Sequence, residues 1–130
     1  MSEIDILTER IIGRAMEVHR QLGPGYLESV YEKALSIELK ADGIGFANQV
    51  AVPVLYRGQS IGDFIADIIV NGKVIVELKA CQTLHIQHEA QLVNYLTATG
   101  IDNGLLFNFG TTSLQFKRKF RLYQPRQQSC

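Results

Sequence analysis

Apolar residues recur at helical spacing through Ile4, Leu7, Ile11, Ile12, Ala15, Val18 and Leu22, the interval that lines one side of an α-helix. Gly23-Pro24-Gly25 breaks that pattern. A second helix is expected from about Leu27 to Asp42, with Val30, Ala34, Leu35, Ile37 and Leu39 on its apolar side and Gly43 and Gly45 beyond its end. The period then shortens to that of strands, at about 46–56, 61–70 and 73–79, the first two separated by Arg57-Gly58-Gln59-Ser60. A third helix is expected over about Ile86 to Thr99, closed by Gly100, and two further strands over about 104–109 and 113–123. The order α-α-β-β-β-α-β-β is that of an α/β protein. Val74-Ile75-Val76 is apolar on both faces of its strand, so helices should cover both sides of a mixed sheet in a three-layer sandwich. Loops are short, and there are no internal repeats or linkers. A single domain over residues 1–130 is expected.

Three ionisable residues interrupt the most apolar part of this pattern. In Phe64-Ile65-Ala66-Asp67-Ile68-Ile69-Val70-Asn71-Gly72-Lys73-Val74-Ile75-Val76-Glu77-Leu78-Lys79, two branched apolar runs flank an Asn-Gly turn, the sequence form of a β-hairpin. Burying a carboxylate is costly unless it is paired or bound to a cation. Glu77 and Lys79 are two apart on a strand and share a face. Asp67 and Glu77 converging on one point would make a hard-oxygen site for Mg²⁺ or Mn²⁺ with a lysine beside it, a site suited to phosphodiester hydrolysis. The competing reading is a structural ion pair. Register separates the two. A two-residue Asn71-Gly72 turn would pair Ala66 with Glu77 and turn Asp67 away. A three-residue Asn71-Gly72-Lys73 loop would pair Val70 with Val74 and Asp67 with Glu77, on one face, and a bulge between Asp67 and the turn would serve equally.

Composition changes this picture little: 46% hydrophobic and 20% charged residues describe an ordinary globular chain. No apolar run approaches the ~20 residues that span a bilayer. The acidic start Met1-Ser2-Glu3-Ile4-Asp5 is unlike a secretory signal, so a cytoplasmic location is expected. Cys81 and Cys130 form no framework, which suits a reducing compartment. Charge is uneven along a neutral chain. Five of the thirteen basic residues, and none of the thirteen acids, fall in 103–130, which therefore carries +5 against −5 for residues 1–102. Lys117, Arg118, Lys119, Arg121 and Arg126 either guard an edge strand or contact phosphates.

Further candidates lie on the helices. Glu28 sits in the first turn of the second helix, where an anion is favoured, with Tyr31 and Glu32 one turn on. Glu28 points inward only if Leu27, Val30 and Ala34 pack on the sheet. Gln91, Asn94 and Tyr95 form a polar face on the third helix, and Gln91 is placed to hold a phosphate oxygen or a water. His85 and His88 lack further ligands at zinc spacing, and His19 is more readily a helix-end cation or a core donor.

The segment Leu22-Gly23-Pro24-Gly25-Tyr26-Leu27-Glu28-Ser29-Val30-Tyr31-Glu32 resembles the signature of the GxxExxY protein family. Val74-Ile75-Val76-Glu77-Leu78-Lys79-Ala80, Gln91-Leu92-Val93-Asn94-Tyr95-Leu96 and Gly104-Leu105-Leu106-Phe107-Asn108-Phe109-Gly110 resemble its other motifs, in order, over most of the chain. The family is similar to PD-(D/E)xK nucleases. The resemblance implies a restriction-endonuclease-like core, with Asp67 and Glu77 binding Mg²⁺ (or Mn²⁺) and Lys79 as the catalytic lysine. It also implies Glu28 as the helix acid and Gln91 as the helix glutamine. The chain departs from the pattern at Ala66, where the superfamily's proline stands, and at Ile65, where a basic residue is expected. The combined reading is a metal-dependent nuclease acting on nucleic acid, DNA first. Its metal ligands are Asp67, Glu77, Glu28 and the Leu78 carbonyl, and Lys117, Lys119, Arg121, Tyr95 and Tyr31 contact nucleic acid. A domain this small is expected to work as a homodimer or with a partner subunit. The alternative is a non-catalytic nucleic-acid- or partner-binding module on the same scaffold.

Overall fold

A computed structural model describes residues 1–122; Arg126 and Cys130 lie outside the described residues. The elements are α1 (Glu3–Leu22), α2 (Glu28–Ala41), β1 (Phe46–Tyr56), β2 (Gln59–Val70), β3 (Val74–Lys79), α3 (Ile86–Thr99), β4 (Asn103–Asn108) and β5 (Gln115–Phe120), in the expected order. The five strands form one mixed sheet, ordered β1-β2-β3-β4-β5, in which only β3 and β4 are parallel. That parallel pair requires a crossover, and α3 supplies it. Helices α1 and α2 cover one face through Ile11, Ala15, Tyr31, Leu35 and Leu39, packed on Ile68, Val76, Leu105 and Phe107. Helix α3 covers the other through Leu92 and Leu96, packed on Phe64, Ala66, Ile75 and Leu106. The result is the expected three-layer α/β architecture.

Local chemistry corrects several expectations. β2 begins at Gln59 because Arg57 and Gly58 both take left-handed φ (51° and 77°), closing a tight two-residue hairpin that pairs Tyr56 with Gln59. β5 is shorter than expected, ending at Phe120. On α2 the buried stripe is Tyr31, Leu35 and Leu39, four apart, while Val30 and Ile37 are exposed. The Tyr31 ring wins that face because it stacks on Phe109, with centroids 4.5 Å apart.

The hairpin that carries the acids uses the three-residue loop: Val70 pairs with Val74, Ile69 with Ile75 and Ile68 with Val76. Asn71 and Gly72 take left-handed φ (52° and 65°), and the Lys73 N–H donates to the Val70 carbonyl at 2.9 Å. A second irregularity lies on the other side of Asp67. The β1–β2 ladder runs from Asn48↔Ile68 to Val50↔Ala66, stepping over Gln49 and Asp67, and Gln49 has φ 49°. Ile68 and Val70 pack toward α1 and α2, whereas Phe64 and Ala66 pack toward α3. Residues two apart on a regular strand share a face, so β2 changes face at Asp67.

Candidate metal and phosphodiester site

Glu77 and Lys79 project to the α3 side of β3, since Glu77 is opposite Leu106 in the parallel ladder and Leu106 belongs to the α3-side core. Where the β2–β3 ladder gives out, the Asp67 carboxylate takes over. One oxygen accepts the Leu78 N–H at 2.8 Å, and the other meets the Gln49 amide at 3.4 Å. The interruption of β1–β2 pairing at Asp67 thus leaves its carboxylate aimed at the end of β3, beside Glu77. Asp67 is half-buried, Glu77 is buried, and the Glu77 Oε1 atom has no hydrogen-bond partner. Burial, together with the Asp67 charge and a hydrogen bond to Asp67, pushes the Glu77 carboxyl up to about 9; the nearby Lys79 opposes the rise. Without a cation, the raised Glu77 carboxyl keeps its proton and donates it as a hydrogen bond to Asp67. An orphaned, buried acid oxygen next to a second carboxylate fits a divalent cation. Mg²⁺ is commonly held by one or two carboxylates with water completing its shell. Asp67 and Glu77 are the neighbouring carboxylates that would hold one.

Near this group stand Tyr95, which feels the Glu77 and Asp67 charges, and His88, which feels Lys79. Burial raises the Tyr95 hydroxyl's pKa, and the Glu77 and Asp67 charges add to the rise, while Gln91 serves it as a hydrogen-bond neighbour. The Tyr95 ring is clamped on Phe64, the rings parallel within 4° at 3.6 Å. Burial lowers the His88 pKa, helped by Lys79 and opposed by Glu28, so α3 starts within reach of both the lysine and the α2 acid. Here the three-acid set needs correcting. Leu27 and Val30 are exposed rather than packed on the sheet, and Glu28 is exposed with them. Among the described residues no three His, Cys, Asp or Glu side chains gather closely enough to hold a metal, which also excludes the His85–His88 pair as a zinc site. His88 Nδ1 instead receives the His85 backbone N–H at 3.4 Å at the start of α3.

Tyr31 is also corrected. It is fully buried, its hydroxyl donates to the Gly23 carbonyl at 2.6 Å and accepts the Tyr26 N–H at 3.1 Å, and no surface is left for nucleic acid. Its role is to hold the Gly23–Leu27 loop that launches α2 and Glu28. The basic strand is largely engaged. Lys119 pairs with Glu89 at 3.1 Å, Arg121 with Asp102 at 2.8 Å and Arg118 with Asp5 at 2.9 Å, while Lys117 is exposed. His19 is a core group, its Nε2 bonded to the Thr111 carbonyl at 2.8 Å.

A family model described as the PD-(D/E)XK nuclease superfamily matches residues 5–119. The chain belongs to that superfamily. Membership points to nuclease activity, to nucleic acid as the partner and to a divalent metal as cofactor. Asp67, Glu77 and Lys79 lie within the matched residues. A crystal structure titled SSO0001 shares the fold, with a TM-score of 0.59 at 17% identity over 74% of this chain, and this chain spans half of that protein's length. No curated protein matches. No helix among the described residues is long and apolar enough to cross a membrane.

Within this superfamily scaffold, Asn108-Phe109-Gly110 stood in the sequence only as part of a family-like motif, and its supporting role was missed. Asn108 is fully buried at the end of β4. Its Oδ1 accepts the Cys81 and Gly110 N–H groups at 3.0 Å each, and its Nδ2 donates to the Cys81 carbonyl at 3.0 Å and to Gln115 Oε1 at 2.9 Å. The Phe109 N–H donates to the Lys79 carbonyl at 2.8 Å. A Cβ at Gly110 would come within 2.4 Å of the Cys81 backbone, so only glycine allows this approach. Asn108-Phe109-Gly110 therefore clamps the chain as it leaves Lys79. The signal available in the sequence was an Asn-Phe-Gly at the end of an apolar strand.

Proposed function

We propose that this chain is a metal-dependent nuclease of the GxxExxY type, hydrolysing phosphodiester bonds of nucleic acid, DNA first, with Mg²⁺ or Mn²⁺ as cofactor. The observation that carries this reading is the Asp67–Glu77 pair beside Lys79, brought into register by a three-residue loop and a skipped β1–β2 pair at Asp67, with one Glu77 oxygen buried and unpartnered. Asp67, Glu77 and the Leu78 carbonyl hold the cation. A bound cation acidifies a water and neutralises charge at the phosphate. Lys79 positions the attacking water, receives its proton or shares it, and offsets the charge that grows on the phosphate oxygens. Gln91, next to the Tyr95 hydroxyl, steadies a phosphate oxygen or that water. Glu28 acts from the rim, near His88, once substrate is bound. Lys117 contacts the backbone, and Lys119 and Arg121 join it on release from their carboxylates. The chain works in the cytoplasm, as one domain, paired with a second copy or a partner subunit.

A non-catalytic binding module on the same scaffold is favoured by one observation, the exposed Glu28 that leaves two carboxylates rather than three at the site. Labelled single- and double-stranded DNA and RNA, incubated with Mg²⁺, Mn²⁺ or EDTA, separate the readings. The nuclease reading expects cleavage that needs the metal and vanishes in Glu77→Gln; binding with no cleavage of any substrate selects the module.

A further inference from the structure

Beside the acid pair, an open groove of about 640 Å³ runs between β1 and α3. Its walls are Val54 from β1 and Gln87, Gln91, Asn94, Tyr95 and Ala98 from α3. Nothing in that lining is charged, although β5, at the opposite edge of the sheet, carries three cations in six residues. A groove built for the phosphate backbone carries cations, because neutralising phosphates is where backbone affinity comes from. This one instead combines three side-chain amides with an aromatic ring held rigid against Phe64. Each amide offers both donors and an acceptor, the pairing a base edge presents. The small Ala98 and Ala90 keep the floor open for a flat ring. Tyr95 lies in both places, at the wall of the groove and close enough to Asp67 and Glu77 to feel their charge.

We propose that the groove between β1 and α3 is a nucleobase subsite, which makes an unpaired strand the substrate of the neighbouring acid pair. The proposal rests on the nuclease reading for what happens to the strand, but the subsite itself is a matter of binding. Tyr95 and Val54 flank the base, Gln87 and Asn94 meet its edge, and the adjoining phosphate falls toward Lys79. A duplex would have to unstack and unpair a base to fill the groove, at a cost of a few kcal/mol, whereas a single strand offers its bases freely. Base–aromatic contact is tolerant of sequence, so discrimination among bases should be modest.

The test is fluorescence anisotropy in EDTA, so that cleavage plays no part. The probes are labelled oligothymidylate of about 12 nucleotides, an abasic strand of the same length, and a duplex. The expected result is at least tenfold tighter binding of oligothymidylate than of the abasic strand, with the duplex also weaker. Ala98→Phe, which fills the groove from an exposed helix position, and Asn94→Ala, which removes a base-edge partner, should each shrink that ratio; circular dichroism checks that both remain folded. Equal affinity for normal and abasic strands, or a ratio that survives both substitutions, overturns the subsite. If the base preference is absent while metal-dependent cleavage persists, the subsite fails and the nuclease reading stands. If the preference is present and nothing is cut, the reverse holds.

Discussion

On the α1–α2 face of the sheet, Ile11, Leu35, Leu39, Ile68, Val76 and Phe107 are fully buried in one continuous apolar cluster. On the α3 face the cluster is smaller, and at Glu77 it gives way to a buried acid with an unpartnered oxygen. β3 serves both, with Val74, Val76 and Leu78 pointing to the first face and Ile75, Glu77 and Lys79 to the second. The difference shows how a small domain keeps its stability apart from its chemistry. One face supplies the hydrophobic stabilisation, and the other accepts the cost of converging carboxylates. Substitutions on the two faces should therefore have opposite signatures.

The largest effect is expected on the α3 side. Glu77→Gln and Asp67→Asn should each lower cleavage by about 10²–10³-fold or more, while thermal unfolding shows the metal-free Glu77→Gln protein to be at least as stable as wild type. Loss of stability in Glu77→Gln would mean that the acid is structural. On the opposite face, Leu35→Ala should cost about 2–5 kcal/mol in denaturant unfolding and leave the specific activity of the folded fraction unchanged.

Asn108→Ala tests the connection between faces. It leaves buried backbone N–H groups of Cys81 and Gly110 without their acceptor, at a cost of about 1–3 kcal/mol. Because the same clamp fixes the chain leaving Lys79, kcat should fall while KM changes little, and an effect on stability alone would confine Asn108 to a structural role. The smallest effects belong to β5. Lys117→Gln should reduce the dependence of log binding on log salt by about one. Lys119→Gln, which opens a half-buried pair with Glu89, should cost about 1 kcal/mol of stability, and its effect on the salt slope shows whether the lysine leaves Glu89 for phosphate.

The residues explain which parts of this were legible in the sequence. Element order followed from local signals, the helical period of Ile4 to Leu22 and the Val-Ile-Val run of β3, and helix α3 has the expected bounds. The acid pair was legible because charge inside an apolar strand is costly enough to stand out. What failed depended on contacts distant in sequence. Tyr31 looked like a surface residue sharing a helix face with Glu28, but a stack with Phe109, 78 positions away, draws it into the core. The engagement of Lys119 depends on Glu89 of α3, which no strand pattern reveals. Asn108 gains its meaning only when β4 is laid against the end of β3. The Val70–Val74 register was posed by the sequence as a choice, and the left-handed Asn71 and Gly72 decide it.

The central claim is that buried Glu77 must hold either a proton or a cation, and thermal unfolding across pH with and without Mn²⁺ measures it directly. The native carboxyl is raised from 4.5 to about 9, so between those values the folded protein keeps a proton that the unfolded chain has released. The stability this contributes is greatest at low pH and is lost as pH rises toward the native value. Metal-free protein should accordingly lose stability from pH 5 to pH 9. Mn²⁺ should restore it most at the alkaline end, where the acid is ready to bind, and Glu77→Gln should remove both the slope and the Mn²⁺ response. Wild-type and Glu77→Gln proteins with the same pH profile, and Mn²⁺ without effect on either, would contradict the metal site and the chemistry assigned to it.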